Sequence, residues 1–193
     1  MWELGNGYTL KIMDRESFSP HFLKHTKEFF DDTDQTFHLR ELFTEEEKEK
    51  LRELGSQLGT PYILRLGVFK GEEFVGWHFG MQETASRFYM QNSGILPAHR
   101  KQGLYTKLLK RAIQIVTEKG FQEIYSRHMP MNNSVIIPKL KAGFVITSMQ
   151  LDDVFGVLVH LTHYPHKTRD KVLAYRAGYV RADEEIKKYL HLP

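Results

Sequence analysis

The chain has 193 residues, enough for one domain around a single core, and 41% of them are hydrophobic. It contains no cysteine, which excludes disulfides, thiolate metal sites and a cysteine acyl-enzyme and suits a reducing cytoplasm. A net charge of +3 is too small to argue for nucleic acid, residues 1–10 lack the pattern of a secretory signal, and no apolar run approaches the roughly 18 residues of a membrane span. The expectation is a cytoplasmic protein with neither membrane nor nucleic-acid partner.

Residues 8–13 alternate and predict a first strand. Ser19 and Pro20 predict an N-cap with proline at the first helical position. Phe22, Leu23, Thr26, Phe29 and Phe30 share the face of that helix, and the run Asp31, Asp32, Thr33, Asp34 breaks it. Thr44 with Glu47 reads as a capping box ahead of Leu51, Leu54 and Leu58, and Gly59 with Pro61 ends this helix. Residues 62–69 and 74–81 predict a hairpin turning at Lys70, Gly71, Glu72 and Glu73. A third run, 88–96, stops at Pro97. The period then becomes helical: Tyr105, Leu108, Leu109, Ala112, Ile113 and Val116 lie on one face, closed by Lys119 and Gly120. A short strand at 124–128, a short helix before Gly143, strands near 144–149 and 155–161, and one or two amphipathic helices over 167–189 complete a mixed α/β (α+β) domain.

Most of the chemistry lies between Ile95 and Tyr105. A strand ends, a glycine-containing loop follows, and a basic helix begins with Arg100, Lys101, Lys107, Lys110 and Arg111 nearby. First-turn amides have no partner inside their helix, and the helix dipole adds positive charge there. Such a terminus holds phosphate, and Gly103 lets the backbone approach closely. An ordinary strand-to-helix turn with a solvated basic face is the competing reading.

The run Arg100, Lys101, Gln102, Gly103, Leu104, Tyr105 resembles the R/Q-x-x-G-x-G/A signature of the GNAT acetyltransferases, with Ile95 in the hydrophobic position two before Pro97. The segment from Asn132 to Gly143 and Phe144 resembles the family's N-x-x-A…Y-x-K-x-G-F block. The resemblance implies a single GNAT-like domain over 1–164, with a mixed, mostly antiparallel sheet of six to seven strands flanked by helices. Residues 165–193 form its helical C-terminal extension. It also implies acetyl-CoA as acyl donor, without a metal. The amides from Lys101 to Thr106 would hold the pyrophosphate, the Ile95 backbone would bond the thioester and pantetheine arm, and Asn132 would touch the cofactor beyond the phosphates. Tyr105 departs from the small residue preferred at its place, so its side chain is expected to turn away. Lys139 stands where the family often has a catalytic tyrosine, and Pro138 before it is expected to distort the helix.

Acetyl transfer to an amine needs a neutral amine, a donor to the carbonyl oxygen and a proton for the thiolate. His128 is a candidate base, because histidine titrates near neutral pH, or else a structural residue at a strand end. Glu83 is a candidate base acting through water, or a surface carboxylate. Lys139 would serve as an acid only if desolvation lowered its pKa; an exposed lysine, or one bound to a cofactor phosphate, is the plainer expectation. On this reading His128 matters more than Lys139. Tyr89 and Tyr125 are further possible donors, and strand alternation puts Tyr125 and His128 on opposite faces. The spacing of His160 and His163 likewise argues against a metal site. Three functions stay open: an N-acetyltransferase acting on a small-molecule or peptide amine, a cofactor-binding module without catalysis, and a basic nucleic-acid binder. The tail could close the acceptor cleft or form a homodimer contact.

Overall fold

Asn6 and Gly7 both have positive φ, 53° and 75°, as a two-residue hairpin turn requires. They join β1 (Trp2–Gly5) to β2 (Tyr8–Ile12). The computed structural model describes residues 1–30 and 39–193; the expected helix breaker at 31–34 and the packing of Phe29 and Phe30 lie outside the described residues and side chains. The other elements are α1 (Arg15–Phe30), α2 (Leu39–Leu42), α3 (Glu45–Ser56), β3 (Ile63–Lys70), β4 (Glu73–Gln82), β5 (Arg87–Ile95), α4 (Leu104–Glu118), β6 (Glu123–His128), α5 (Asn133–Lys141), β7 (Val145–Asp152), β8 (Gly156–His163), α6 (Lys167–Arg176) and α7 (Glu184–Leu190).

Two boundaries differ from expectation. Helix α1 starts at Arg15, because the Asp14 carboxylate accepts the Ser17 N–H at 2.8 Å and caps it there. Pro20 therefore lies inside the helix. The predicted capping box is present: Thr44 Oγ1 accepts the Glu47 N–H at 3.2 Å, and Glu47 accepts the Thr44 N–H at 2.8 Å. The leucine stripe behind it, Leu51, Leu54 and Leu58, is exposed rather than packed.

The strands form one eight-stranded sheet in the order β1-β2-β3-β4-β5-β6-β8-β7. It has one strand more than the upper expectation, because the short β1 precedes the predicted first strand. Only β5 and β6 run parallel, joined through α4; the other neighbours are antiparallel. One face of the sheet carries the main core, where Leu10, Leu66, Phe88 and Ile124 meet Leu108, Leu109 and Ala112 of α4 and Ile136 of α5. The other face packs Phe69, Phe74 and Trp77 under Phe18 and Phe22 of α1. The C-terminal helices are fastened to the turn before β6, where Arg169 donates to the Gln122 carbonyl at 2.9 Å and stacks on Tyr164 at 4.0 Å.

A bulge in β5 sets the shape of the sheet. Phe79 pairs with Asn92 and Met81 pairs with Tyr89, so Gly80 alone faces two residues, Met90 and Gln91. A bulge kinks its strand and raises the local twist. Strand β5 then pairs with β6 only at Arg87↔Glu123, Phe88↔Ile124 and Tyr89↔Tyr125. Beyond those pairs the two strands separate into a V. Gly80 permits this crowding: a Cβ there would lie 2.7 Å from the Tyr89 carbonyl oxygen and 2.6 Å from the Phe88 ring.

Gly80→Ala is expected to destabilise the fold by about 1–3 kcal/mol, the usual range for overpacking. Gly55→Ala, in α3 with open space around the added methyl, should instead stabilise it by about 0.5–1 kcal/mol. Denaturant midpoints of the two variants test this contrast.

Candidate functional site

The loop that follows β5 is tied to the sheet by side chains and leaves its backbone outward. His99 is buried and shares a hydrogen bond with the Tyr8 hydroxyl at 3.0 Å. Arg100 Nε donates to the Ile95 carbonyl at 2.9 Å. Lys101, Gln102 and Gly103 are exposed, with Lys101 at φ 62° and Gly103 at φ 73°. Lys107 is the first residue of α4 to bond back into the loop, reaching the Gly103 carbonyl at 3.1 Å. The N–H groups of Leu104, Tyr105 and Thr106 precede that bond and have no acceptor within the helix. The Leu104 side chain is buried, and Tyr105 lies against the main core, where burial raises the phenol pKa. What this turn presents is backbone. Lys107, expected beside the phosphate, reaches the other way and donates to the Leu4 carbonyl, while Arg111 stacks on Trp2 at 4.9 Å.

Helix α5 places Lys139 beneath the V. The helix runs on through Pro138 to Lys141. Gly143, at φ 87°, closes it: its N–H bonds to Leu140 at 3.0 Å, and the Phe144 N–H bonds to the Lys139 carbonyl at 3.1 Å. Far from being exposed, Lys139 is only 2% accessible. Its Nζ donates to Ser126 Oγ on β6 at 2.6 Å, lies 3.9 Å from Met90 Sδ on β5, and sits 5.0 Å over the Phe144 ring. It has no ion-pair partner among the described residues, and burial lowers its pKa to about 7.

Ser126 also bonds His128 Nε2 at 2.9 Å. Farther along the same face, His78 Nδ1 bonds Ser93 Oγ at 2.8 Å, and the buried Nε2 of His78 has no partner. Burial, and secondarily the Lys139 ammonium, pushes both His78 and His128 down to about 3. Burial thus favours the neutral imidazole of His128 and works against its expected role as a base titrating near neutral pH. The group that titrates near neutrality here is Lys139. His78, Ser93 and Ser126 were not singled out in the sequence: counting by twos from Ile124 puts Ser126 on the α4–α5 face, but the bulge in β5 breaks the alternation that would have placed Ser93 there.

Glu83 is on the other side of the sheet. Its carboxylate accepts the Tyr125 hydroxyl and lies 3.4 Å from Arg87. Tyr125 stacks on Tyr89 at 4.9 Å. The three catalytic candidates therefore do not form one cluster: His128 and Lys139 meet at Ser126, and Glu83 stands across β6 from them. Asn132 is the N-cap of α5, with its side chain engaged by Ser134 Oγ at 2.8 Å. His160 faces Tyr125, at 6.1 Å, and His163 faces Phe144, at 5.3 Å. Among the described residues no group of three or more His, Asp or Glu is placed to hold a metal ion, and no helix is long and apolar enough to cross a membrane.

A family model described as the acetyltransferase (GNAT) family matches residues 22–144. Among solved structures, YncA of Salmonella typhimurium, determined with its cofactor acetyl-CoA, superposes with a TM-score of 0.59 at 14% identity, covering 82% of this chain and 94% of its own. The ribosomal-protein-S5-alanine acetyltransferase of Vibrio fischeri gives 0.61 at 11% identity, covering 84% and 95%. A GNAT-family acetyltransferase from Streptococcus pneumoniae gives 0.58 at 16%, covering 81% and 99%. At such identities the likeness is one of fold. No curated protein matches the sequence.

The buried ammonium has a measurable cost. In the unfolded chain Lys139 holds its proton up to about 10.5, whereas in the fold it releases it above about 7. Between those values the unfolded state binds more protons, so stability rises with pH; below about 7 the full burial penalty applies. Lys139→Met should therefore raise Tm at pH 7 by at least the ~2–4 °C that 1 kcal/mol gives in a chain of this size. The gain should narrow toward pH 10, as followed by thermal melts across pH.

Proposed function

Because the chain belongs to the GNAT acetyltransferase family, we propose that it moves an acetyl group from acetyl-CoA to a primary amine by direct transfer within a ternary complex. The observation that carries this reading is the buried Lys139 ammonium lying across the opening of the V, in contact with Met90 of β5 and Ser126 of β6.

The residues present fit acetyl-CoA. The amides from Lys101 to Thr106 lie at an exposed, positively polarised helix terminus and suit the pyrophosphate. Gly103 holds a left-handed turn there without steric cost. The stretch from Met90 to Ile95 is unpaired toward β6 and offers its backbone to the pantetheine arm, with Asn132 near by on α5. When bound, acetyl-CoA supplies an electrophilic thioester carbonyl and a thiolate leaving group.

Over the reaction an N–C bond forms, a C–S bond breaks, one proton leaves the amine and one returns to sulfur. Lys139 Nζ, with a pKa of about 7, is suited to give that proton at the V, and Ser126 Oγ holds it in place. The Ile95 N–H, five residues along β5 from Met90, is suited to the pantetheine arm rather than to the carbonyl that Lys139 serves. His128 orients Ser126, and burial disfavours the imidazolium form that would act as an acid. Glu83, on the face opposite Lys139, is placed to receive the amine's proton through water. The cysteine-free sequence favours this direct route over a thiol acyl-enzyme.

Two measurements test this reading. Calorimetry should detect acetyl-CoA binding that weakens in Gly103→Asp, where a carboxylate enters the phosphate cradle; absence of binding by the unmodified protein refutes it. Thiol release with a panel of amines should show a rate component that fades as pH rises through about 7, because an acid must hold its proton to donate it. Lys139→Met should remove that limb and lower turnover roughly 10²-fold, the low end for acid–base catalysis. Binding without turnover for any amine would leave a cofactor-binding module as the function.

A further inference from the structure

On the side of the sheet away from Lys139, Arg127 has no match for its charge. Its neighbours do: Arg87 meets Glu123 at 2.7 Å and Glu83 at 3.4 Å, and Arg169 meets Glu123 at 3.4 Å. Among the described residues Arg127 has no ion pair. Its Nε is buried without a hydrogen-bond partner, its Nη2 reaches the Tyr89 hydroxyl only at 3.4 Å, and its guanidinium stacks on the Tyr89 ring at 5.0 Å. A guanidinium keeps its charge at any physiological pH, and a buried N–H left unbonded is costly. The Tyr89 ring holds the guanidinium at the mouth of the V, where a carboxylate would supply the charge partner that it lacks.

The position of this guanidinium indicates what it serves. Tyr89↔Tyr125 is the last bonded pair of β5 and β6. Arg127 is two residues farther along β6, on the Tyr125 face, at the mouth of the V. Parallel pairing sets Arg127 level with Gln91, four residues before Ile95, or about 13 Å along an extended strand. The phosphate loop beyond Ile95 is therefore too far for Arg127 to serve the cofactor pyrophosphate. The other groups facing it are Tyr89, Tyr125, His160 opposite it on β8, and Asp152, which is near enough to favour its charge. His160 is itself held by Gln150 at 2.8 Å, and burial together with Arg127 and Arg87 disfavours its protonation. Arg127 is thus the cation at the mouth with donors to spare.

We propose that the acceptor is a small amine that also carries a carboxylate, and that Arg127 binds that carboxylate while the amine enters the V. This rests on the acetyltransferase reading and adds the acceptor class. The neighbouring Glu83, held by Tyr125 and Arg87, gives the site an acidic group on the same face, so a dipolar acceptor meets both signs of charge there.

The test compares amines that differ only in the acidic group: tyrosine with tyramine, alanine with ethylamine, and phosphoethanolamine with ethanolamine. The carboxylated member of each amino-acid pair should be preferred about 10–100-fold in kcat/KM. Arg127→Met should erase most of that preference through KM, and Arg127→Lys should restore part of it. Preference for the decarboxylated amines, an equal loss toward both members in Arg127→Met, or a loss of acetyl-CoA affinity in that variant would overturn the proposal. Preference for phosphoethanolamine alone would overturn the carboxylate assignment. If no amine turns over, calorimetry with tyrosine and the CoA-saturated protein decides. Arg127-dependent binding upholds the carboxylate site while transfer fails, and absence of tyrosine binding overturns the carboxylate proposal while the acetyl-CoA reading stands or falls on its own binding test.

Discussion

The single glycine at position 80, facing two residues of β5, is the constraint from which the site follows. Its missing side chain lets the Tyr89 carbonyl come close, the bulge forms, and β5 turns away from its parallel partner after three pairs. Everything chemical in the molecule is arranged around the gap this opens. The backbone of β5 lines one arm, Ser126, Arg127 and His128 line the other, and the loop after Ile95 presents amides at the far end. A fully paired sheet of the same composition would have no such site, because those backbone groups would be spent on the ladder.

The gap also separates two kinds of environment. On the α4–α5 face, His78 bonds Ser93, Ser126 bonds both His128 and Lys139, and burial penalises positive charge on the histidines and the lysine. On the α1 face lies a charged, aromatic surface in which Arg87, Glu83, Tyr125, Tyr89 and Arg127 alternate. A proton donor favours the first setting, where a lysine is brought to a useful acidity by burial. A recognition surface favours the second, where charged groups and aromatic rings stand side by side. Strand alternation alone assigns neighbouring residues of β6 to these two settings.

Much of this was legible in the sequence. The phosphate-type loop follows from a strand, a proline, a glycine and a helical period in order, and the opposite facing of Tyr125 and His128 follows from alternation. What sequence could not show was depth. Lys139 reads as a surface lysine because a nine-residue helix with one proline and two lysines carries no visible burial signal; the packing of Met90 and Phe144 around it is a tertiary fact. The same blindness made His128 look like a neutral-pH base, since its low basicity comes from enclosure and from the ammonium two contacts away. Arg127 was passed over because an arginine on a strand is unremarkable until its neighbours are seen to be paired and it is not. One miss was avoidable: Asn6-Gly7 is a strong hairpin signal, and it would have supplied β1. Pro20 misled because Asp14, a better cap, begins the helix one turn earlier.

That first hairpin has an effect at the other end of the site. By accepting Lys107 at the Leu4 carbonyl and stacking Trp2 on Arg111, it holds α4 at a fixed height and draws two cations away from the loop. Holding an anion there falls mainly to backbone dipoles fixed in the fold rather than to mobile side-chain charges. Counterions compete with the latter far more than with the former, so the proposed grip on a pyrophosphate should depend on ionic strength less steeply than the count of lysines and arginines around the loop implies.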